Sequence, residues 1–322
     1  MLDFNEKSVM VTGGAGFIGS TLVERLLKEP ISKLVAVDNL YLGKLANIQT
    51  ASKDRRFTFL GADAGDPNLM ERILSTNKVD VVFNLAVIPL LASLEFPRLT
   101  YEQNVRIATN ICELARSGLF KTLIHCSSSE AYGTAKRMPM TEEHPMNPTT
   151  PYAASKAASD LFILAYTKSF GIDATIIRPF NAYGPRQNDG SYAAVIPITI
   201  NKISSGQQPI IYGDGLQTRD YTYVTDIVEG LLSGYIHEKS RGQVINVASG
   251  KEMTIKHLIM EICHTMKYDG EIAYLPTRTA DVRRHQASLE RAKRLLNYSP
   301  KVTLAEGLKR TVEWFEKKNV QT

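Results

Sequence analysis

A glycine-rich turn near the start of the chain constrains the fold more than any other feature. Thr12-Gly13-Gly14-Ala15-Gly16-Phe17-Ile18-Gly19 follows the apolar run Ser8–Thr12 and opens the amphipathic stretch Ile18–Lys28. Glycines at this spacing allow a tight turn, close approach of a pyrophosphate, and close packing of a helix on a strand. The helix N-terminus then presents free N–H groups and a positive dipole end to the phosphates. The segment predicts a strand–turn–helix unit that binds a dinucleotide.

An acidic residue at the end of the next predicted strand indicates which dinucleotide is bound. Asp38 stands nineteen residues after Gly19. At this position a carboxylate can accept hydrogen bonds from the adenosine ribose hydroxyls, and it repels a 2′-phosphate. The strand, turn, helix and acid together predict NAD rather than NADP as the cofactor.

Short β-branched runs alternate with amphipathic stretches through the first part of the chain, which indicates parallel strands buried on both faces. We therefore predict an α/β fold, a Rossmann-type doubly wound parallel sheet with a smaller, mostly helical C-terminal lobe for the substrate. The predicted strands are Ser8–Thr12, Lys33–Asp38, Phe57–Gly61, Val79–Leu85, Thr122–Ser127 and Ala174–Arg178; the predicted helices lie near Ile18–Lys28, Pro67–Ser75, Thr100–Arg116 and Tyr152–Phe170.

The alternation ends after Arg178, where prolines and glycines crowd a loop. This places an NAD-binding Rossmann domain at residues 1–179 and a substrate-binding lobe at residues 180–322, with some segments of the second part returning to the first. Ligands of open parallel sheets bind at the carboxyl ends of the strands. A second lobe over that edge would form a cleft.

Composition excludes several classes of protein. Hydrophobic residues make up 43% and charged residues 22%, as in soluble globular proteins, and no run approaches the roughly 20 apolar residues of a membrane span. Three widely spaced cysteines predict a reduced, cytoplasmic protein. The net charge of +5 is scattered, which argues against nucleic acid as a partner. Six dispersed histidines predict no metal site.

A tyrosine and a lysine share one face of a predicted helix. In Tyr152-Ala153-Ala154-Ser155-Lys156 they lie four residues apart, so both side chains point the same way. A nearby ammonium favours the phenolate, and we expect Lys156 to lower the pKa of Tyr152. Ser127-Ser128-Ser129-Glu130 ends a predicted strand and therefore lies in the same cleft. A serine there can hydrogen-bond both a substrate oxygen and Tyr152, which is a plausible base for a substrate hydroxyl.

Taken together, these elements resemble one family. They are similar to the motifs of the extended short-chain dehydrogenase/reductase family and, more narrowly, of its NAD-dependent sugar-nucleotide epimerases and dehydratases. The resemblance covers nearly the whole chain. It is carried by the glycine turn, Asp38, Asn84-Leu85-Ala86, the serine run, Tyr152/Lys156, Arg178-Pro179-Phe180-Asn181, Tyr183–Arg186, Tyr212–Gly215, Gln217–Tyr221, Val224–Asp226 and Leu304–Leu308.

The resemblance implies an NAD that is reduced and reoxidised within one turnover on a nucleotide-diphosphate sugar, UDP- or GDP-linked. Tyr152 would deprotonate the sugar C4 hydroxyl with help from Ser128, and Lys156 would also bind the nicotinamide ribose. The implied catalytic set is Tyr152, Lys156, Ser128, Glu130 and Ser129. The implied cofactor contacts are Gly13, Gly16, Phe17, Ile18, Gly19, Asp38, Asn39, Asp63, Ala64, Leu85, Ala86, Asn104, Ser127, Tyr152, Lys156 and Pro179. The implied substrate contacts are Ser128, Asn181, Arg186, Tyr212, Arg219 and Arg283.

The family also implies a homodimer, because helices equivalent to Thr100–Arg116 and Tyr152–Phe170 form an intersubunit four-helix bundle in it. Both stretches carry more apolar surface than one sheet contact requires.

Glu130 bears on the reaction that follows oxidation to a 4-keto sugar. An epimerase needs no further base, whereas a 4,6-dehydratase must remove the C5 proton, expel the C6 hydroxyl and return hydride to C6. Dehydratases such as GDP-mannose 4,6-dehydratase carry a glutamate at the position of Glu130, and a carboxylate there can take the acidified C5 proton. We therefore expect an NAD-dependent nucleotide-sugar 4,6-dehydratase.

Other activities stay open. Dehydratases of the dTDP-glucose type carry an aspartate where this chain has Ser129. UDP-glucuronate decarboxylases, like this chain, carry serine-glutamate at the positions of Ser129 and Glu130. The first alternative is a 4-epimerase of the UDP-glucose, UDP-N-acetylglucosamine or UDP-glucuronate type, and the second is a decarboxylase. The stretch Val87–Ser93 has no basic residue for a C6 carboxylate, which weakens the uronate readings. A non-catalytic NAD-sensing protein would commonly have lost the tyrosine or lysine, and both are present.

Overall fold

The computed structural model describes residues 1–277 and 282–320 of the chain. Its strands are β1 Ser8–Thr12, β2 Lys33–Asp38, β3 Phe57–Gly61, β4 Val81–Asn84, β5 Thr122–Cys126, β6 Asp173–Pro179, β7 Ala182–Tyr183, β8 Ile210–Tyr212, β9 Thr218–Arg219, β10 Thr222–Tyr223, β11 Val244–Val247, β12 Met253–Thr254 and β13 Ala273–Leu275. Its helices are α1 Phe17–Leu26, α2 Pro67–Asn77, α3 Leu90–Glu95, α4 Pro97–Arg116, α5 Pro151–Phe170, α6 Val195–Ser204, α7 Val224–Ile236, α8 Ile255–Thr265, α9 Glu290–Leu296 and α10 Leu304–Val320.

A parallel sheet of seven strands forms the centre of the molecule, in the order β11-β6-β5-β4-β1-β2-β3. The predicted Rossmann-type α/β fold is confirmed. The order reverses direction at β1, which is where such sheets bind ligands beyond the carboxyl ends of their strands.

The two faces of the sheet are buried because strand side chains alternate between two cores. Val9 and Val11 of β1 pack with Leu22 and Val23 of α1 on one face. Met10 packs on the other face with residues of α2, α4 and α5. All five residues of β1 are buried, as expected of a parallel strand covered by helices on both sides.

The boundaries of the predicted elements differ from the observed ones by a few residues. The strand predicted at Val79–Leu85 is β4, Val81–Asn84, and the helix predicted at Thr100–Arg116 begins three residues earlier, at Pro97. Helix ends are set by caps rather than by hydrophobic periodicity: Pro97 starts α4, and Thr150 caps α5 by accepting a hydrogen bond from the Ala153 N–H.

The second lobe is built from α6, α8 and α10 around a separate apolar core that includes Ile200, Leu258 and Phe315. Three short strand pairs, β10–β7, β12–β9 and β13–β8, complete it. Not all of the later residues belong to this lobe, because β11 joins the central sheet beside β6. None of the helices in the described part of the chain combines the length and apolar character that a bilayer crossing requires.

The segment from Val282 to Ser288 crosses between the two lobes. On one side the Thr218 N–H of β9 donates to the Arg283 carbonyl, at 3.0 Å. On the other side Met140 forms a β-bridge with Ala287, and its N–H donates to the Gln286 carbonyl at 2.8 Å. Main-chain hydrogen bonds therefore join the lobes beside the cleft.

Candidate active site

A cavity of about 690 Å³ lies beyond the carboxyl ends of the central strands. It is lined by residues that follow β1, β2, β3, β4, β5 and β6, and by the start of α5. Every predicted cofactor residue except Asn104 lines it, namely Gly13, Gly16, Phe17, Ile18, Gly19, Asp38, Asn39, Asp63, Ala64, Leu85, Ala86, Ser127, Tyr152, Lys156 and Pro179.

The glycine turn leaves backbone exposed to the cavity because side chains would not fit. Gly13 has φ +69°, and a Cβ built on it would stand 3.0 Å from the backbone of Leu85 and Ala86. The Thr12 hydroxyl fixes that neighbouring loop, since it accepts hydrogen bonds from the N–H groups of Leu85 and Ala86, each at 3.1 Å. The N-terminus of α1, which begins at Phe17 directly after the turn, fits a pyrophosphate.

Asp38 is held in place by the backbone around it. Its carboxylate accepts hydrogen bonds from the Ala15 N–H at 3.0 Å and the Leu40 N–H at 2.8 Å. Burial raises the pKa of this carboxyl, and the hydrogen bonds oppose that effect. A positioned carboxylate at the end of β2 fits the adenosine ribose of NAD.

Two predicted cofactor residues have protein partners of their own. Asn104 does not line the cavity: its amide bonds both backbone groups of Ile88, at 2.8 Å and 3.0 Å, and donates to the Ser155 hydroxyl at 3.0 Å. It therefore fixes the loop after β4. Asp63 lines the cavity and accepts from the Gln103 amide at 2.9 Å.

The tyrosine and the lysine of α5 both reach the cavity. The buried Lys156 ammonium donates to the Cys126 carbonyl at the end of β5, at 2.7 Å. The predicted lowering of the Tyr152 pKa by Lys156 is wrong for the protein chain alone. Burial raises the pKa of Tyr152, the negative charge of Glu130 adds to the rise, and only the hydrogen-bonding contact with Ser128 lowers it. A positive charge on a ligand in the cavity would work in the opposite direction.

The serine run follows β5 as predicted. Ser128 caps a short 3₁₀ helix, Ser129–Tyr132, by accepting a hydrogen bond from the Glu130 N–H at 3.2 Å. Ser128, Ser129 and Glu130 all line the cavity together with Tyr152. A phenol, two hydroxyls and a carboxylate thus line the same cavity, and side chains of these types can transfer protons to and from a bound hydroxyl.

A smaller cavity of about 220 Å³ adjoins the first in the second lobe. Asn181, Tyr212 and Arg219 line it, and Asn181 lines both cavities. Arg186 lines the larger cavity and pairs with Glu24. Arg283 lines neither cavity; it is exposed and forms two 3.0 Å hydrogen bonds to the Asp214 carboxylate.

Several lining residues were missed from the sequence. They come from the loop after β2, from α4, and from the loop between β7 and α6, where no local pattern marks them. They include Tyr41, Leu42, Gly43, Lys44, Asn47, Leu99, Gln103, Arg106, Gln187 and Asn188.

The glycine turn, Asp38 and the pair Tyr152/Lys156 define the cleft of a dinucleotide-dependent enzyme. The family model described as GDP-mannose 4,6 dehydratase matches residues 10–311. The chain belongs to this family, within the NAD-dependent sugar-nucleotide epimerases and dehydratases of the extended short-chain dehydrogenases/reductases.

Known relatives include more than one activity. The chain is 36% identical over 312 residues to a UDP-glucose 4-epimerase of Mycolicibacterium smegmatis, covering 96% of this chain and 99% of the relative. It is 30% identical to the human dTDP-D-glucose 4,6-dehydratase, covering 96% of this chain and 90% of the relative. The structure of a dTDP-glucose 4,6-dehydratase from Streptomyces venezuelae, solved with NAD, superposes with a TM-score of 0.92 at 30% identity and covers 98% of each chain.

Proposed function

We propose that the protein is an NAD-dependent nucleotide-sugar 4,6-dehydratase. The observation that supports this most is Glu130, which lines the cavity close enough to Tyr152 to raise its pKa. An epimerase has no need of a second base beside the reacting sugar, whereas elimination across C5 and C6 requires one.

The residues divide the chemistry between them. Bound NAD supplies the hydride acceptor for C4 and the hydride donor for C6. Tyr152 takes the proton of the C4 hydroxyl, Ser128 orients that hydroxyl, and Lys156 stabilises the phenolate and binds the nicotinamide ribose. Glu130 then removes the C5 proton, which the C4 ketone has acidified. Because Ser129 stands in place of an acidic residue, we assign the protonated Glu130 as the acid that releases the C6 hydroxyl as water. As hydride returns to C6, a proton returns to C5, which balances the proton that Tyr152 took from the C4 hydroxyl.

The substrate class follows from the lining of the two cavities. Asn181 and Arg219 beside the smaller cavity suit a diphosphate, and Tyr212 suits a nucleobase. The wall formed by Val87, Ile88 and Pro89 is apolar, which favours a neutral hexose over a uronate.

The other basic side chains on the larger cavity support a neutral sugar. Among the described residues, each of these except the catalytic lysine has a carboxylate partner. The pairs are Lys44 with Asp189, Arg106 with Asp63, and Arg186 with Glu24. A C6 carboxylate would have to displace one of these partners, which weakens the case for a decarboxylase.

The alternative is a 4-epimerase acting on the same class of substrate. The 36% identity to the mycobacterial epimerase and the presence of Ser129 rather than an acid support it. Both activities share the oxidation at C4 and differ only after it.

Product mass separates these reactions. UDP-glucose, UDP-N-acetylglucosamine, UDP-glucuronate and GDP-mannose are each incubated with the purified protein, and the products are analysed by mass spectrometry and by NMR for the configuration at C4. Loss of water supports the dehydratase, an unchanged mass with an inverted C4 supports the epimerase, and loss of carbon dioxide from a UDP-uronate supports the decarboxylase.

The role of Glu130 has its own test. Glu130→Gln should still oxidise C4 but stop at the 4-keto sugar, and in D₂O it should no longer exchange the C5 hydrogen. Glu143→Gln is the matched control, because Glu143 is exposed and outside both cavities. Full dehydration by Glu130→Gln would rule out this carboxylate as the base.

We also propose a homodimer through α4 and α5. Leu99 and Tyr101 of α4 and Leu161 and Phe170 of α5 are 42–56% exposed, and large exposed apolar patches usually mark interfaces. Leu161→Glu should convert a dimer to a monomer in light scattering. Leu216→Glu, at a 53% exposed leucine of the other lobe, should not.

A further inference from the structure

Three consecutive residues at the end of β5 are held by one face of α5. Lys156 binds the Cys126 carbonyl, and the Ser127 hydroxyl donates to the Asp160 carboxylate at 2.8 Å. Ser128 is in hydrogen-bonding contact with Tyr152. Positions 152, 156 and 160 are four residues apart, so they repeat along one side of the helix. Ser127, which binds Asp160, stands in the chain between Cys126, which binds Lys156, and Ser128, which contacts Tyr152.

Asp160 is also half of a buried ion pair. Its carboxylate oxygen Oδ2 accepts from Arg178 Nε at 2.7 Å, and the side chains of Asp160 and Arg178 are 0% and 3% exposed. The Arg178 guanidinium lies 4.6 Å from the ring centroid of Tyr132, which is in the 3₁₀ helix that carries Glu130. One pair therefore contacts both the strand end of Ser127 and the helix of Glu130.

Such a pair is a weak source of stability. The desolvation of two buried charges offsets much or all of their attraction, and apolar replacements are often as stable. A role in holding geometry accounts for the observed contacts better than a role in stability does.

We propose that Asp160 and Arg178 are positioning residues for catalysis: Asp160 fixes Ser127 and so holds Ser128 against Tyr152, while Arg178 fixes Tyr132 and so holds Glu130. The first half concerns the oxidation at C4, which dehydratases and epimerases share. The second half rests on the proposed function, because it concerns elimination.

The charge of Asp160 acts on the same groups. Burial lowers the pKa of Lys156, and the charge of Asp160 opposes that effect. Burial raises the pKa of Tyr152, and the charge of Asp160 adds to the rise. Its second oxygen, Oδ1, is buried without a hydrogen-bond partner among the described residues, so the Ser127 hydroxyl does not neutralise it. The other titratable or charged groups around this cluster are Cys126 and His125 of β5, Arg178 of β6, Glu130 and Tyr132 of the 3₁₀ helix, and Glu142 beyond Tyr132.

Ser127→Ala tests the first half without leaving a charge unpaired. The rate of C4 oxidation, read as transient NADH absorbance on adding the nucleotide sugar, should fall between about ten- and a hundred-fold, as misplaced catalytic groups do, while KM changes little. Ser159→Ala is the matched control: among the described residues, the hydroxyl of this buried serine of α5 bonds only the Ser155 carbonyl, at 2.8 Å. Equal rates in the two variants would overturn the positioning role of Asp160.

Asp160→Asn tests the charge. Because the carboxylate adds to the rise in the pKa of Tyr152, its removal should shift the rise of kcat/KM with pH toward lower pH. Asp160→Asn/Arg178→Gln removes both charges and guards against misfolding caused by an unpaired Arg178; its profile should lie between the single variant and the wild type. If the variants lose activity only in proportion to the fraction of protein that is folded, and the pH profile of kcat/KM does not move, the Asp160–Arg178 pair has a structural role alone.

The second half is tested separately by Arg178→Gln. If the protein is a dehydratase, this variant should lose C5 exchange in D₂O more than it loses C4 oxidation. A substrate that is merely epimerised would refute the proposed function and leave the Ser127→Ala result intact, so the two failures are distinguishable. Equal losses in both steps would overturn the link from Arg178 to Glu130.

Discussion

A Cβ atom built on Gly19 would lie 2.0 Å from the carbonyl oxygen of Gly13. The first turn of α1 thus packs directly on the backbone of the glycine turn, and only a hydrogen atom fits between them. This contact sets the helix N-terminus against the end of β1, where the pyrophosphate of NAD is expected.

Gly19→Ala should therefore empty the cofactor site as well as weaken the fold. The added methyl meets backbone, which cannot rotate away, so we expect a loss of stability of about 1–3 kcal/mol and little NAD in the purified protein. Chromatography of the acid-released nucleotide and thermal unfolding measure the two effects. Gly118→Ala is the control, since nothing lies within 4 Å of its added methyl although its φ is +75°; it should lose some stability but retain NAD. Normal NAD content in Gly19→Ala would contradict this view of the turn.

Asp38→Ser should relax the choice between NAD and NADP. The substitution removes the carboxylate that repels a 2′-phosphate and that binds the ribose. We expect affinity for NAD to fall and the ratio of NAD to NADP affinity to shrink by at least about ten-fold, equivalent to about 1.4 kcal/mol. Titration of cofactor-free protein with each dinucleotide measures this ratio. An unchanged ratio would place the determinant outside Asp38.

Asp189→Asn should speed the loss of NAD. Asp189, in the loop between β7 and α6, pairs with Lys44 at 3.1 Å and with Lys318 of α10, and its side chain is only 14% exposed. Lys44 and the neighbouring Asn188 both line the large cavity, so the ion pairs tie two loops together over the cofactor. We expect NAD to dissociate faster from Asp189→Asn than from the wild type. Because salt screens ion pairs, the rate of NAD dissociation from the wild type should rise with salt concentration.

The control for this variant is Glu102→Gln, which breaks an ion pair with Arg98 on the surface of α4, where the side chains are 58% and 88% exposed. Such pairs contribute about 0–1 kcal/mol, so NAD release should not change. Equal release rates for wild type and Asp189→Asn would show that the loops are held by other contacts.

His285→Gln should make the free energy of unfolding less dependent on pH in the acidic range. His285 is fully buried, its Nε2–H donates to the Gly133 carbonyl at 2.7 Å, and burial lowers its pKa to about 4 from an ordinary 6.5. The unfolded chain takes up a proton below pH 6.5 that the folded chain rejects. The stability is therefore fully present above that pH and is lost as the pH falls toward about 4, at about 1.4 kcal/mol per unit.

Urea unfolding at pH values between about 7 and 5 measures this effect as a difference between wild type and variant. Wild type should lose about 2 kcal/mol more than His285→Gln over that range. Parallel curves would mean that the pKa of His285 is the same in the folded and the unfolded chain.

The sequence was sufficient where chemistry is tied to local backbone. Gly13 and Asp38 could be placed because a glycine turn and a strand-end acid have fixed positions in a βαβ unit. Tyr152, Lys156 and Ser128 could be placed because helix periodicity and strand order put them at one edge of the sheet. These residues do line one cavity.

The sequence was insufficient where tertiary contacts decide. Asp160 and Arg178 lie on different elements and meet only in the fold, and Asp189 is brought to Lys44 by a loop without any pattern. The direction of the Tyr152 pKa shift was wrong because burial and the nearby negative charges both raise this pKa, and burial depends on the packing of the folded chain. The hydrogen bond from the Ile88 N–H to Asn104, a predicted cofactor contact, is another tertiary contact that the sequence does not reveal.

The strip of chain from Val282 to Ser288 restricts how the enzyme can admit its ligands. A hinge motion that moved the two lobes apart would break the β-bridge between Met140 and Ala287 and the hydrogen bond from the Thr218 N–H to the Arg283 carbonyl. The two lobes are thus joined by main-chain hydrogen bonds on one side of the cleft. We expect the ligands to enter and leave on the opposite side, where loops cover the cavity. We therefore expect ligand entry to depend on movement of these loops, which the ion pairs of Asp189 with Lys44 and Lys318 restrain.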